Sequence, residues 1–149
     1  MKNYLEKQYQ LKLLENKQNN KNTTTPMRFQ AYERLSLFCE RISIPNLLLR
    51  LREKGQTAAE LKLKLLMTVQ QEFEYNITQQ VYLSDQLWQI IKLSKEDVMN
   101  IISVVAEKID PKAPSEELAS ALIRFLETQQ STVLEKALIA IKREATILF

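Results

Sequence analysis

Apolar positions along this chain recur at steps of three and four residues, the period of a helix face and not of a strand. Between Pro26 and Ile42, the residues Ala31, Leu35, Phe38 and Ile42 stand at i, i+4, i+7 and i+11, with Tyr32 and Cys39 widening the stripe. That spacing predicts a helix with one face in a core. Ile44-Pro45 interrupts it, because the residue before a proline is pushed out of the α region. A short segment from Asn46 to Arg52 comes next, ended by Gly55. Thr57-Ala58-Ala59-Glu60 then reads as a capping box, in which threonine and glutamate satisfy each other's free backbone donors.

The helix opened there is predicted to reach Lys92. Along it Leu66, Val69, Phe73, Asn76, Gln80, Leu83, Leu87 and Ile90 alternate steps of three and four in a heptad seam, while Tyr75, Val81, Tyr82 and Trp88 lie on another face. A helix apolar on two faces is expected at the centre of its bundle. Ser94-Lys95-Glu96-Asp97 offers a fresh cap, predicting a break near Ser94 before Val98, Ile101, Ile102, Val105 and Ile109. After the turn from Asp110 to Pro114, Ser115 with Glu116 and Glu117 starts a final helical run with acids at its positive end. Along one side of it run Leu118, Leu122, Phe125, Gln129, Val133, Ala137, Ile141, Ala145 and Leu148, and a second cap at Thr132 with Glu135 allows a split.

Ahead of all this, residues 2–18 are polar helix formers with scattered Leu and Tyr, and Asn19 to Thr25 reads as a polar linker. Thr25 and Pro26 supply an N-cap and a first-turn proline for the helix that carries the Ala31 stripe. The expected fold is all-α: a helical bundle of about five or six helices over residues 26–149, preceded by a basic helical arm and linker at 1–25.

Charge sharpens that division. The net charge is +3, and Lys2, Lys7, Lys12, Lys17 and Lys21 against Glu6 and Glu15 account for all of it, leaving the bundle neutral. Those five lysines are candidates to touch an anionic membrane surface. Nucleic-acid binding is disfavoured, since phosphate contacts dominate such affinity and Lys62 and Lys64 are the basic residues of the long helix before Lys92. With one glycine in 149 residues, phosphate-cradling loops and tight hairpins have almost no material to be built from.

Candidate chemistry is sparse. The chain has no histidine, which removes the commonest general base and the usual nitrogen ligand of zinc or di-iron sites. Glu72 and Glu74 flank Phe73, but residues two apart diverge by about 200° around a helix and cannot act as a carboxylate pair. A single cysteine, Cys39, lies beside the apolar stripe and reads as structural, in keeping with a reducing compartment. Asn76-Ile77-Thr78 matches a glycosylation acceptor and reads as chance within a helix. No catalytic residue, cofactor or metal site is expected, and the chain is read as not an enzyme. The amides Asn76 and Gln80, where the seam elsewhere holds Leu, Val and Phe, either bond within the bundle or line a polar gap where another chain docks. Tyr75, Tyr82 and Trp88 would be its aromatic anchors.

TPMRFQAYERLSLFCERI at 25–42 and QQEFEYNITQQVYLSDQLWQIIKLSKEDV at 70–98 resemble a family of uncharacterised proteins from Bacteroidetes, a likeness that extends over nearly the whole chain. In that family a segment similar to KNYLEKQYQLKLLENKQ comes after an N-terminal hydrophobic helix that anchors the protein in the membrane. The resemblance implies either that Met1 begins a soluble part of such a protein or that this member lacks the anchor. With an anchor restored, the lysines at 2–21 become a juxtamembrane cationic segment, which places the bundle at the cytoplasmic face of the inner membrane. The expectation is a cytoplasmic, non-enzymatic interaction or scaffold module, binding another protein or itself. The alternative is a soluble regulator binding nucleic acid through its basic arm.

Overall fold

The computed structural model describes residues 2–147, with the side chains of residue 2 and of residues 15–24 outside the described set. The described residues form an all-α bundle of six α-helices: α1 (Lys2–Ile42), α2 (Ile44–Leu51), α3 (Ala58–Asn76), α4 (Asp85–Glu107), α5 (Ser115–Glu127) and α6 (Val133–Ile147). A short 3₁₀ helix over Ile77–Tyr82 joins α3 to α4, and no strand occurs among the described residues.

The apolar stripe of α1 behaves as its spacing predicts: Ala31, Tyr32, Leu35, Phe38, Cys39 and Ile42 are all buried. The start of the helix does not. Its backbone stays helical from Lys2 through Asn19 to Thr25, so the polar stretch expected as a linker is no interruption, and Pro26 lies inside the helix instead of opening it. Proline there removes one backbone donor and crowds the carbonyl four residues back, a cost of about 3 kcal/mol that a helix anchored by six buried side chains just downstream can absorb.

Pro45 starts α2 in the first turn, where its missing N–H is no loss, and Gly55 takes φ 79° in the turn between α2 and α3. The threonine half of the capping box forms: the Thr57 side chain accepts from the Glu60 N–H at 3.2 Å. A second device completes this helix start. Ala58 N donates to Ala113 O at 2.7 Å, Ala59 N to Pro111 O at 3.1 Å, and Ser115 N to Gln56 O at 2.9 Å. The segment before α5 therefore satisfies donors that a helix N-terminus otherwise leaves unpaired, and clips α3 to α5 through backbone alone.

The long helix expected from Thr57 to Lys92 is two helices. Asn76 ends α3, its side-chain amide donating to Glu72 O at 2.8 Å, and Ser84 caps α4, its hydroxyl accepting from Leu87 N at 3.1 Å. The break therefore falls at 77–84, and the expected break at Ser94 is absent. Ser94 is fully buried in mid-helix, where its hydroxyl bonds back to Ile90 O at 2.8 Å and lies 3.5 Å from Val133 O of α6. The split near residue 130 is real: Thr132 accepts from Glu135 N at 3.2 Å at the head of α6. Of the apolar side read there, Leu118, Leu122, Ala137 and Ile141 are buried, Phe125, Val133 and Ala145 are half-buried, and Leu148 lies outside the described residues.

A polar network fixes α6 on the bundle. The Glu144 carboxylate accepts from Tyr32 Oη of α1 at 3.0 Å, from the Ser84 N–H at 3.3 Å and, through a short contact, from the Ser84 hydroxyl. Arg28 reaches Tyr32 Oη at 3.3 Å and Tyr82 O at 3.1 Å, so the start of α4, the C-terminal helix and α1 meet at one carboxylate. Burial, and after it the neighbouring carboxylate, raise the Tyr32 phenol above its ordinary range. No helix among the described residues is long and apolar enough to cross a membrane.

Candidate functional site

Two helices that pack side by side leave a groove along their seam, and the character of that groove is set by the residues flanking the buried stripe. On α1 those are Arg34, Leu37 and Arg41, at i, i+3 and i+7; on α3 they are Thr68, Gln71, Glu72 and Tyr75, at i, i+3, i+4 and i+7. They line a cavity of about 420 Å³ with Phe38 and Asn76. The base is rigid, because Phe38 meets Phe73 at a ring separation of 6.3 Å and Asn76 is held by Glu72 O.

The rim is cationic and apolar together. Arg41 pairs with Glu72 at 2.6 Å, a bond that raises the guanidinium further above its ordinary range, while Arg50 of α2 stands 3.9 Å from the same carboxylate and donates to Arg41 O at 2.5 Å. Arg34 lies over the Tyr75 ring at 5.6 Å and donates to Tyr75 O at 3.2 Å. Two guanidinium groups thus face one carboxylate, and a third, that of Arg34, is held on Tyr75. Beside them Leu37 is 59% exposed and Tyr75 78% exposed, so both keep much of their surface in water.

The groove's carboxylate, Glu72, is held by the guanidinium groups of Arg41 and Arg50. Glu74 points elsewhere and accepts from Gln70 at 3.1 Å on the exposed side of α3. Among the described residues no group of three or more His, Cys, Asp and Glu side chains is placed to hold a metal ion. Cys39 is fully buried, and burial, then the charge of Glu40, pushes its thiol up to about 12, which makes it inert at neutral pH.

The residues singled out as a docking gap do not converge. Tyr75 is exposed on the groove and Asn76 lies buried at its base, but Gln80 is exposed on the 3₁₀ helix, where it bonds to Ile77 O at 3.0 Å. Tyr82 is half-buried, its carbonyl taken by Arg28. Trp88 is buried and stacks on Phe73, so it is a core residue and not a surface anchor. The break between α3 and α4 places these residues on three separate elements, α3, the 3₁₀ helix and α4. Arg34, Leu37 and Arg41 do not stand out in the sequence because they flank the buried stripe instead of belonging to it; the signal they carry is a leucine off the stripe between two arginines. Of the arm lysines, Lys7 and Lys12 are exposed, whereas the side chains of Lys2, Lys17 and Lys21 lie outside the described residues.

No curated protein and no solved structure matches this chain. A family model described as a family of unknown function, DUF7935, matches residues 1–148, and the chain belongs to that family.

Proposed function

We propose that this protein is a non-enzymatic interaction module that offers the α1–α3 groove to an acidic, amphipathic segment of a partner protein. The observation that carries this reading is the pairing of exposed Leu37 and Tyr75 with Arg34 on Tyr75 and with Arg41 and Arg50 on the Glu72 carboxylate. Exposed aromatic and arginine side chains at the mouth of a groove are the usual makings of an interface hot spot, and guanidinium groups recognise carboxylates in a bidentate manner. An operating site at the cytoplasmic membrane face is supported by the cationic arm, where Lys7 and Lys12 are free to meet anionic head groups.

The test compares captures made with the intact chain from its own cells with captures made with Arg34→Glu/Leu37→Asp and with the control Leu63→Asp, which alters an exposed leucine elsewhere on α3. A partner retained by the control and lost with the groove variant supports the reading. Identical captures by all three proteins overturn it. For the membrane location, salt-sensitive co-sedimentation with phosphatidylserine vesicles is expected, and Lys7→Glu/Lys12→Glu abolishes it.

A further inference from the structure

Arg34, Leu37 and Arg41 stand at i, i+3 and i+7 on the rim of α1, so the two arginines are about 10.5 Å apart along the helix axis with the leucine between them. Across the seam α3 meets them in the opposite order: Arg34 lies on the Tyr75 carbonyl and ring, and Arg41 on Glu72. The two helices therefore run antiparallel here. Their groove presents a cation, an apolar side chain and a cation in line over about two helical turns.

The three arginines still have donors to give. Arg34 directs Nη2 to Tyr75 O, Arg41 directs both Nε and Nη2 to Oε1 of Glu72, and Arg50 directs Nη2 to Arg41 O. A guanidinium carries five N–H donors in a planar fork, more than these bonds engage. Each can therefore take a carboxylate oxygen from outside without giving up its place on the bundle.

An occupant of this groove has to satisfy its own main chain. The walls are helices whose backbone groups are bonded along their own axes, so they offer an extended segment no ladder to join. A helix brings its backbone bonds with it and meets the groove through side chains alone. On a helix laid along the seam, side chains seven apart return to one face and repeat the spacing of Arg34 and Arg41. Residues three or four along fall level with Leu37.

We propose that the partner segment is a helix with two carboxylates seven residues apart and an apolar side chain midway, one carboxylate taken by Arg34 and the other by Arg41 with Arg50. This rests on the reading of the groove as the binding site and adds what the groove selects. The midway side chain sits over Phe38, against the exposed surfaces of Leu37 and Tyr75.

The test is an NMR titration of the isotope-labelled full chain with two capped, alanine-rich helical peptides of identical composition. In the first, two glutamates stand seven apart with two leucines midway; in the second they stand five apart, which turns one about 140° around the helix from the other. The first is expected to shift the amide signals of residues 34–41 and 68–76 and to bind about fivefold more tightly than the second, the worth of one exposed ion pair. Arg34→Glu is expected to weaken the first peptide by at least that factor, and Leu63→Asp, outside the groove, to leave it unchanged. Equal binding of the two peptides, both lost with Arg34→Glu/Leu37→Asp, overturns the spacing and leaves the groove as the binding site. Binding of neither peptide overturns the inference, while the captures described above judge the groove by themselves. A first peptide that binds Arg34→Glu/Leu37→Asp as well as the unaltered chain overturns both.

Discussion

Trp88 at the head of α4 stacks on Phe73 near the end of α3, the rings 5.4 Å apart at centroid and inclined by 19°. The two helices are separated in sequence by the 3₁₀ helix, and this stack joins them across it. The Phe73 ring also receives Lys95 Nζ at 4.7 Å, an attraction between the cation and the ring face. Trp88→Ala is expected to cost about 3–5 kcal/mol in denaturant unfolding, and Trp88→Phe clearly less. An Ala variant as stable as the original would mean that the stack contributes nothing to the join.

Glu144 is the hub that holds α6. Glu144→Ala removes the acceptor for Tyr32, for the Ser84 N–H and for the Ser84 hydroxyl, and is expected to destabilise by about 1.5–3 kcal/mol. Hydrogen exchange should accelerate first in α6 and at the start of α4. Uniform acceleration across all helices would assign the loss to general destabilisation and not to this junction.

Cys39 gives a pH signature. Its thiol is raised from the ordinary range to about 12, so the folded state holds the proton more tightly than the unfolded state does. The resulting stability is intact below the ordinary thiol range and is lost as pH rises through it toward about 12. Cys39→Val should flatten that alkaline decline. Cys39→Ser should cost about 1–3 kcal/mol by burying a hydroxyl, while leaving the groove's partner in place. Iodoacetamide should label the native protein only at the rate of unfolding; rapid labelling would contradict the burial.

Asp97 behaves in the same sense at the acid end. Burial raises its carboxyl above the ordinary range, so its contribution is favourable at low pH and turns to a penalty as pH rises through the folded value. Asp97→Asn should therefore raise the melting temperature at neutral pH and not at strongly acidic pH. A gain equal at both would trace to something other than ionisation.

The two seam amides should separate in their effects. Asn76→Leu loses the bond to Glu72 O at the end of α3 and is expected to cost about 1 kcal/mol or more, whereas Gln80→Leu, on the exposed 3₁₀ helix, should stay within about 0.5 kcal/mol. Equal effects would restore the picture of one continuous seam.

These residues also mark where sequence pattern informs and where it misleads. Thr57 with Glu60, and Thr132 with Glu135, are legible as caps because a hydroxyl three residues before a free backbone donor is a local geometry. The buried stripe of α1 is legible because its period is the helix's own. The break at 77–84 is hidden by the steps of three and four from Leu66 to Ile90, which a 3₁₀ turn at three residues per turn can carry without disturbing the spacing. Ser84 signals it, with Asp85 in the first turn and the Leu87 N–H donating to the cap, but Ser94, with Glu96 and Asp97 behind it, offers a similar cap. What separates them is tertiary: Ser94 is sealed under α6, where its hydroxyl has only carbonyls to serve. The groove escapes the sequence for a related reason, since Leu37 and Arg34 become neighbours of Tyr75 only after α1 and α3 pack.

The clip between α3 and the segment before α5 has a consequence for how this sequence can drift over evolutionary time. Its bonds from Ala58, Ala59 and Ser115 run between main-chain atoms, so no side chain at 58, 59, 111, 113 or 115 supplies a donor or acceptor to it. Substitutions there can accumulate without undoing the join, as long as they fit the space and no imino acid replaces a donor at 58, 59 or 115. A relative can therefore keep this junction with other small residues at it, because the main chain and not the lettering makes the join.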